Sequence, residues 1–325
     1  MSKTVLVCCG TGCLANGSAK VAAEFHRLLE GSDHAVAWLV KETGCNGFCE
    51  NGPLVKIDPD DITYYKVQVK DVPEIVEKTV LGGETVDRLL YKNDQGQRVR
   101  SQRENPFYAP QHKIALRNIG AISPTSVEDY VAHGGYQALR KALTMTPEEI
   151  LDQMDRSGLR GRGGAGFPTG RKWRTAAGYH KFPKYVACNG DEGDPGAFMD
   201  RSILEGDPHS VLEGMAICAL AIGAEEGFLY IRDEYALAVK NVREAIAQAQ
   251  AYGALGDHIL GSDKKLELSV VRGGGAFVCG ESTALMASVA GRVGEPRAKY
   301  IRSVQRGLWD QPTVLNNVET FANVP

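Results

Sequence analysis

Long hydrophobic runs are missing from this 325-residue sequence. The longest apolar candidate, Gly214 to Ala224, is flanked by Glu213 and Glu225 and falls short of the ~20 residues a helix needs to cross a bilayer. A strong charge of either sign is missing too. With 37 Lys and Arg against 40 Asp and Glu, the net charge is -3, which gives no global bias toward nucleic acid or an anionic membrane. Basic clusters must therefore be read locally. The start, "MSKTVLVCCG", has a short apolar run and no cleavable signal pattern. Internal repeats and low-complexity tracts are absent. The content, 43% hydrophobic and 24% charged, excludes disorder, collagen and coiled coil and suits about two globular domains. A cytoplasmic protein without membrane insertion or a nucleic-acid partner is expected.

What is present is uneven. Cys8, Cys9, Cys13, Cys45 and Cys49 crowd the first fifty residues, while Cys188, Cys218 and Cys279 are scattered and read as small buried apolar residues. In a reducing cytoplasm the tight group points to a metal or a redox function rather than to disulfides. Cys8 and Cys13, like Cys45 and Cys49, sit in glycine-rich stretches, "CCGTGC" and "TGCNGFC", where backbone N-H groups can approach sulfide. A structural zinc prefers the closer C-x-x-C pairs, which this chain lacks. A [2Fe-2S] site is expected, with zinc or a redox dithiol as alternatives. On strand alternation Cys8 and Cys9 point opposite ways, and Cys8 is chosen as the ligand.

Residues 1–90 read as one α/β unit, with strands at "TVLVCC", "HAVAWLV" and "PLVKI" and helices at "SAKVAAEFHRLLE" and "VPEIVEKTV". That order suits a thioredoxin-like sandwich. Residues 91–125 are polar and irregular and read as a linker or wrapping segment. From 126 to 325 two helices, "SVEDYVAHGGYQALRKAL" and "TPEEILDQMDRSG", precede the strands "KYVACN", "GFLYIR" and "LELSVVRG", which alternate with helical stretches. Such alternation marks an α/β sheet with crossovers.

The stretch "SGLRGRGGAGFPTGRKW" holds Gly161, Gly163 and Gly166 at dinucleotide-fingerprint spacing, but a capped helix rather than a strand leads into it. The fingerprint fails on context. Its glycines still let backbone lie flat against a planar or anionic ligand, with Arg162 and Lys172 adding charge. A purely structural glycine loop is the alternative. "GAFVCGES" has P-loop spacing, yet Glu281 stands where a phosphate-binding lysine belongs, so triphosphate hydrolysis is not expected. The helix that follows is expected to present its N-terminus to a flavin phosphate. The acidic loop with Asn189, Asp191, Glu192 and Asp194 suits a solvated turn, a calcium site without EF-hand spacing, or a grip on a ribityl chain. Asn316 and Asn317 suit a turn or two ligand contacts.

Taken together, "GLRGRGGAGFPTGRKW", "CNGDEGDPGAFMDRSILEGDPHSVLEGM", "CGESTALM", "GLWDQPT" and "LNNVET" resemble the flavin-bearing subunit of respiratory complex I. They resemble still more its relatives in soluble NAD(P)-linked [FeFe] hydrogenases, formate dehydrogenases and electron-bifurcating complexes. The likeness covers about residues 110 to 325. The first ninety residues are similar to the thioredoxin-like [2Fe-2S] domain fused to these relatives, in which C-x-G-T-G-C makes Cys8 and Cys13 ligands with Cys45 and Cys49. The resemblance implies an FMN site at Gly161, Arg162, Gly163, Lys172, Asn189, Asp191, Glu192, Gly280, Glu281, Asn316 and Asn317. It implies a nicotinamide-dinucleotide channel at Gly164, Phe167, Asp194, Ser282, Lys299 and Arg302. Lys172 and Glu281 are the catalytic candidates, Lys172 for stabilising the flavin anion. The implied chemistry is hydride transfer from NAD(P)H to FMN, then one-electron steps to iron-sulfur clusters.

Three departures from the family pattern matter. Ser282 and Asp194 stand where glutamates are usual, and "KYIRS", with Arg302, replaces a "KPPFP" run. A lost carboxylate and a gained arginine near the adenosine ribose imply that NADP(H) is accepted. Family members continue into ubiquitin-like and [4Fe-4S] domains, and this sequence has no ligand set for that second cluster. A fragment or split subunit is therefore expected. Its implied partners are a hydrogenase or formate dehydrogenase catalytic subunit, a small thioredoxin-like [2Fe-2S] subunit and ferredoxin. The rival reading is a non-catalytic electron carrier or assembly fragment.

Overall fold

The run "TVLVCC" becomes an inner strand of a small mixed sheet. The computed structural model of the chain describes residues 3–29, 38–298 and 300–325. Two units separate, Met1–Ser123 and Pro124–Pro325. The first begins β1 (Lys3–Cys8), α1 (Thr11–Ala15), α2 (Ser18–Leu29), β2 (Trp38–Thr43), β3 (Val55–Asp58), β4 (Ile62–Tyr64) and α3 (Val72–Ile75), which runs on in wider π-type turns over Val76–Leu81. The sheet order is β2-β1-β3-β4, with β1 parallel to β2 and antiparallel to β3. Of the strand expected at "HAVAWLV", residues 34–37 lie outside those described. Cys13 sits on α1 rather than in a loop. The amphipathic face of α2, Val21, Ala22, Phe25 and Leu29, packs in one core with Val5, Val7 and Ile57. A short hairpin, β5 (Tyr91–Lys92) with β6 (Arg98–Val99), completes this unit's strands among the described residues.

The second unit opens with α4 (Val127–Ala132), α5 (Gln137–Leu143), α6 (Pro147–Ser157) and α7 (Thr169–Ala177). The single helix expected over "SVEDYVAHGGYQALRKAL" is broken between α4 and α5. Gly134 and Tyr136 both take positive φ, and a side chain at Gly135 would run into the Tyr130 ring. The break is held by buried Glu213, which accepts hydrogen bonds from Tyr130 Oη at 2.6 Å, Tyr136 N at 2.8 Å and Leu139 N at 2.9 Å. Three hydrogen bonds satisfy a carboxylate that burial would otherwise penalise. At α6, Thr146 and Glu149 form the capping box and Gly158 closes the C-terminus in the left-handed region.

The rest is β7 (Tyr185–Gly190), α8 (Met199–Gly206), α9 (Pro208–Ile222), β8 (Glu226–Arg232), α10 (Ala236–Tyr252), β9 (Glu267–Gly273), α11 (Ser282–Val289), β10 (Thr313–Asn317) and α12 (Val318–Ala322). All four strands are parallel in the order β10-β7-β8-β9. The chain steps from β7 outward to β8 and β9, then returns to place β10 on the other side of β7. In an open parallel sheet such a reversal leaves a crevice at the carboxyl ends of the two strands that flank it. Those ends are Asn189-Gly190 and Asn316-Asn317, and Asn317 pairs with Asn189 in register.

Candidate functional site

In the first unit β1 delivers Cys8 at its end, α1 carries Cys13, and Cys45 and Cys49 lie just beyond β2. Cys45 Sγ and Cys49 Sγ are 3.5 Å apart. Cys8 lies within hydrogen-bonding reach of both Cys13 and Cys45, which holds its thiol far below the ordinary value and pushes theirs up. Backbone supports the sulfurs: Gly47 N donates to Cys45 Sγ at 3.3 Å. Glycine is required here by close approach. A Cβ on Gly12 would lie 3.0 Å from Cys49 Sγ, and one on Gly52 2.5 Å from Cys13 Sγ. Cys9 faces the other way, into the core with Val5 and Val7, where Ser18 Oγ donates to it at 3.7 Å and burial pushes its thiol up to about 12. Among the described residues no three His, Cys, Asp or Glu side chains converge on one mononuclear site. A two-iron cluster takes two thiolates per iron, so four sulfurs crowded around glycine fit it.

In the second unit a cavity of about 340 Å³ opens at the strand-order reversal. Its walls include Gly161, Gly163 and Phe167 from the loop before α7, Lys172 from α7, Asn189 from β7, Gly280, Glu281 and Ser282 at the start of α11, and Asn316 and Asn317 from β10. Half-buried Lys172 donates from Nζ to Leu315 O at 2.7 Å and to Asn316 Oδ1 at 2.8 Å. Burial pushes its ammonium down to about 8. Asn316 Nδ2 is buried and has no hydrogen-bond partner among the described residues. A buried amide donor on a cavity wall costs free energy unless a ligand accepts from it. The glycine floor is equally tight: a Cβ on Gly163 would lie 3.3 Å from Asn317 Cβ, whereas Gly164, at φ +105°, faces open space. A flat polar ring with acceptor atoms, as in FMN, fits these walls.

A neighbouring cavity of about 330 Å³ shares Phe167, Lys172 and Ser282 with the first and adds Arg302. The guanidinium carbons of Arg171 and Arg302 lie 5.9 and 5.8 Å from the centre of the Phe167 ring.

Several residues named from the sequence are not on either wall. Asp191 is ion-paired with Arg232, which also donates to Gly275 O at 2.7 Å. Glu192 accepts from Asp200 N at 3.2 Å and Arg201 N at 3.0 Å, capping the first turn of α8. Asp194 is exposed and accepts from Gly196 N at 2.8 Å within its own turn. Arg162 projects outward, and its backbone N donates to Thr320 Oγ1 at 2.9 Å. Lys299 lies outside the described residues. The N-terminus of α11, expected to receive a phosphate, is already occupied: Glu281 caps it, accepting from Thr283 N at 2.7 Å and Ala284 N at 3.1 Å.

The sequence reading missed Asp200. It accepts from Asn317 Nδ2 at 3.1 Å and Glu319 N at 3.1 Å, tying α8 to the end of β10, and Asn317 Oδ1 in turn accepts from Thr320 N at 3.0 Å. Burial first, then the nearby Glu192 charge, pushes Asp200 up to about 7. Nothing in its local spacing marks it.

The model of the Nuo51 FMN-binding domain matches residues 154–325, more than half of the chain. The chain belongs to the Nuo51 FMN-binding family. Residues 2–80 match the thioredoxin-like [2Fe-2S] ferredoxin model. The fold is thus a thioredoxin-like ferredoxin unit followed by the α/β Nuo51 FMN-binding domain. The chain is 56% identical over 215 residues to the NADP-reducing hydrogenase subunit HndC of Solidesulfovibrio fructosivorans, covering 66% of this chain and 44% of that one. It is 55% identical over 200 residues to an NADH-quinone oxidoreductase subunit of Aquifex aeolicus, covering 62% and 47%. A crystal structure of an air-oxidised NAD+-reducing [NiFe]-hydrogenase is similar over 99% of this chain and 52% of its own, at 27% identity and a TM-score of 0.54. The chain spans about half the length of the curated relatives it matches. Among the described residues no helix is long and apolar enough to cross a membrane.

Proposed function

We propose that this chain is the NAD(P)H-oxidising module of a cytoplasmic multi-subunit oxidoreductase, with FMN in the second unit and a [2Fe-2S] cluster in the first. The observation that carries the reading is the cavity at the β7/β10 reversal, where the glycine loop, a half-buried lysine and an unpartnered buried amide meet. When bound, FMN supplies the conversion between two-electron hydride chemistry and one-electron transfer. The residues do the positioning. The loop at Gly161 and Gly163 provides a floor without side chains, and Asn316 Nδ2 offers a donor. Lys172 holds a cation against the developing negative charge of a reduced ring. Glu281 keeps Gly280 and Ser282 against the ligand by capping α11, so its role is positioning rather than contact through the carboxylate. Cys8, Cys13, Cys45 and Cys49 hold the cluster.

Phe167, Ser282 and Arg302 line the approach for the dinucleotide. The pair of guanidiniums beside Phe167 favours a ribose 2′-phosphate, so we assign acceptance of NADP(H) as well as NAD(H). The partners that suit such a module are a hydrogenase or formate dehydrogenase catalytic subunit, a small thioredoxin-like [2Fe-2S] subunit, and ferredoxin. Relatives named as subunits of hydrogenase and quinone-reducing enzymes support that setting.

The test is anaerobic addition of NAD(P)H to the flavin-loaded chain while the flavin absorbance is followed. Bleaching is the expected result; a flavin that stays oxidised favours a carrier that does not turn over nicotinamide. Composition is checked first, with about two irons per flavin expected. Specificity for NADPH lower than for NADH by roughly a thousandfold or more would remove the assignment to Arg302.

A further inference from the structure

The segment that the sequence reads as a linker or wrapping segment packs against the cysteine site, leaving Cys49 and part of Phe107 exposed. Phe48, between Cys45 and Cys49, stacks on Phe107 with ring centres 4.5 Å apart and planes 8° from parallel. Tyr108 meets the same ring edge-on at 5.9 Å. Asn105, fully buried, donates from Nδ2 to Tyr65 Oη at 3.0 Å, and Tyr65 packs with Cys8 and Cys13. At the far end Gly120, with φ +90°, passes so close to Asn46 that any side chain there would collide with its amide. Residues 105–120 are therefore held by Asn105 on Tyr65 and by Phe107 on Phe48, and they pass closely against Asn46 at their far end.

The cover carries two cations, Lys113 and Arg117; Arg117 is exposed, and one of its guanidinium nitrogens donates to Ile114 O at 3.3 Å. Half-buried Lys113 has Nζ 5.5 Å from the centre of the Tyr108 ring, which itself meets Phe48 between Cys45 and Cys49; burial lowers the Lys113 ammonium, and negative charge on Cys45 and Cys8 opposes that shift. Lys56 is the other charged group that acts on Lys113. A cluster that gains an electron becomes more negative, so a fixed cation at short range favours the reduced form. Excluding water from the cluster favours the oxidised form, because the extra charge is then less well solvated.

We propose that residues 105–120 are an electrostatic cover for the iron-sulfur site, in which Lys113 raises the reduction potential while Phe107 and Tyr108 lower it by keeping water out. The inference rests on the [2Fe-2S] assignment above. It makes the segment part of the electron path's tuning rather than a passive connection, and it requires substitutions in one short stretch to move the potential in opposite directions.

The experiment is a spectroelectrochemical titration of the full chain, reading the cluster by visible absorption and by EPR, after iron has been counted in every variant. Lys113→Gln is expected to lower the midpoint potential, and Lys113→Arg to keep it near wild type. Phe107→Ala is expected to raise it and to speed cluster loss to an iron chelator. An iron-loaded Lys113→Gln chain whose potential equals that of wild type overturns the inference alone. Wild-type chain that holds no iron overturns the cluster assignment and this inference together.

Discussion

The cysteine site and the flavin cavity are built in opposite ways. In the first, four side chains of one type form the site, brought together from within the first fifty residues by the end of β1, by α1 and by the loop after β2. In the second, no single side chain defines the site. A strand-order reversal creates the crevice, glycines clear its floor, and residues from 161 to 320 share its walls. A site made of ligands fails when a ligand is removed. A site made of shape and backbone fails by degrees, as its walls are displaced.

The sharpest way to break this comparison is Cys45→Ser. Loss of a thiolate from a four-sulfur set is expected to abolish the cluster, seen as loss of its visible absorption and of bound iron, while FMN content stays at the wild-type level. If flavin is lost as well, the two sites are not independently built.

This contrast also explains what was legible in the sequence. Cysteine spacing announces ligands because the residues that bind are the ones that stand out. The cavity was legible only where composition was extreme, in the glycine loop and the paired asparagines. In the acidic loop the spacing showed a polar cluster but not its hydrogen bonds: Asp191 pairs with Arg232, forty-one residues on, and Glu192 accepts from the backbone at the start of α8. β10 was not legible as a strand because its two asparagines, which suit a turn or ligand contacts, mask a strand buried on both faces, and whether residues 91–125 link or wrap was not legible because the pairing of Phe107 with Phe48 is non-local. Asp200 was invisible for the same reason: its partners lie more than a hundred residues away.

Lys172→Met tests the cation on the cavity wall. Replacing a half-buried ammonium with an apolar chain of similar length is expected to slow flavin reduction by roughly a hundredfold or more. Burial holds this lysine at about 8, below the ordinary lysine range, so the ammonium is present at neutral pH and is lost as pH rises through that value. Wild-type reduction should accordingly decline above about pH 8, and the Met variant should show no such step. Stopped-flow reduction across the pH range reads both; a step that survives in the variant assigns the ionisation elsewhere.

Gly163→Ala probes the floor. The new methyl would press on Asn317 Cβ at 3.3 Å, tight enough to shift the wall without blocking it. Flavin affinity is expected to fall by about tenfold, in line with ~1–2 kcal/mol for mild overpacking. The companion Gly164→Ala meets no neighbour but pays for its positive φ, so its effect should appear in thermal stability more than in flavin titration.

The smallest effect is expected from Asp200→Asn, which keeps the shape and part of the hydrogen bonding between α8 and the end of β10. Wild-type Asp200 holds its proton up to about 7, whereas the unfolded carboxyl loses it near 4. Between these values the native state binds the extra proton, so this group's contribution to stability falls as pH rises and levels off above about 7. The amide has no such dependence. The variant should be less stable than wild type by about 1 kcal/mol near pH 4, and the difference should shrink and then reverse sign as pH rises toward about 7. Denaturant titrations at the two pH values measure it. A gap that stays constant would mean that Asp200 is ionised throughout, and that the tie from α8 to Asn317 is a charge-assisted one.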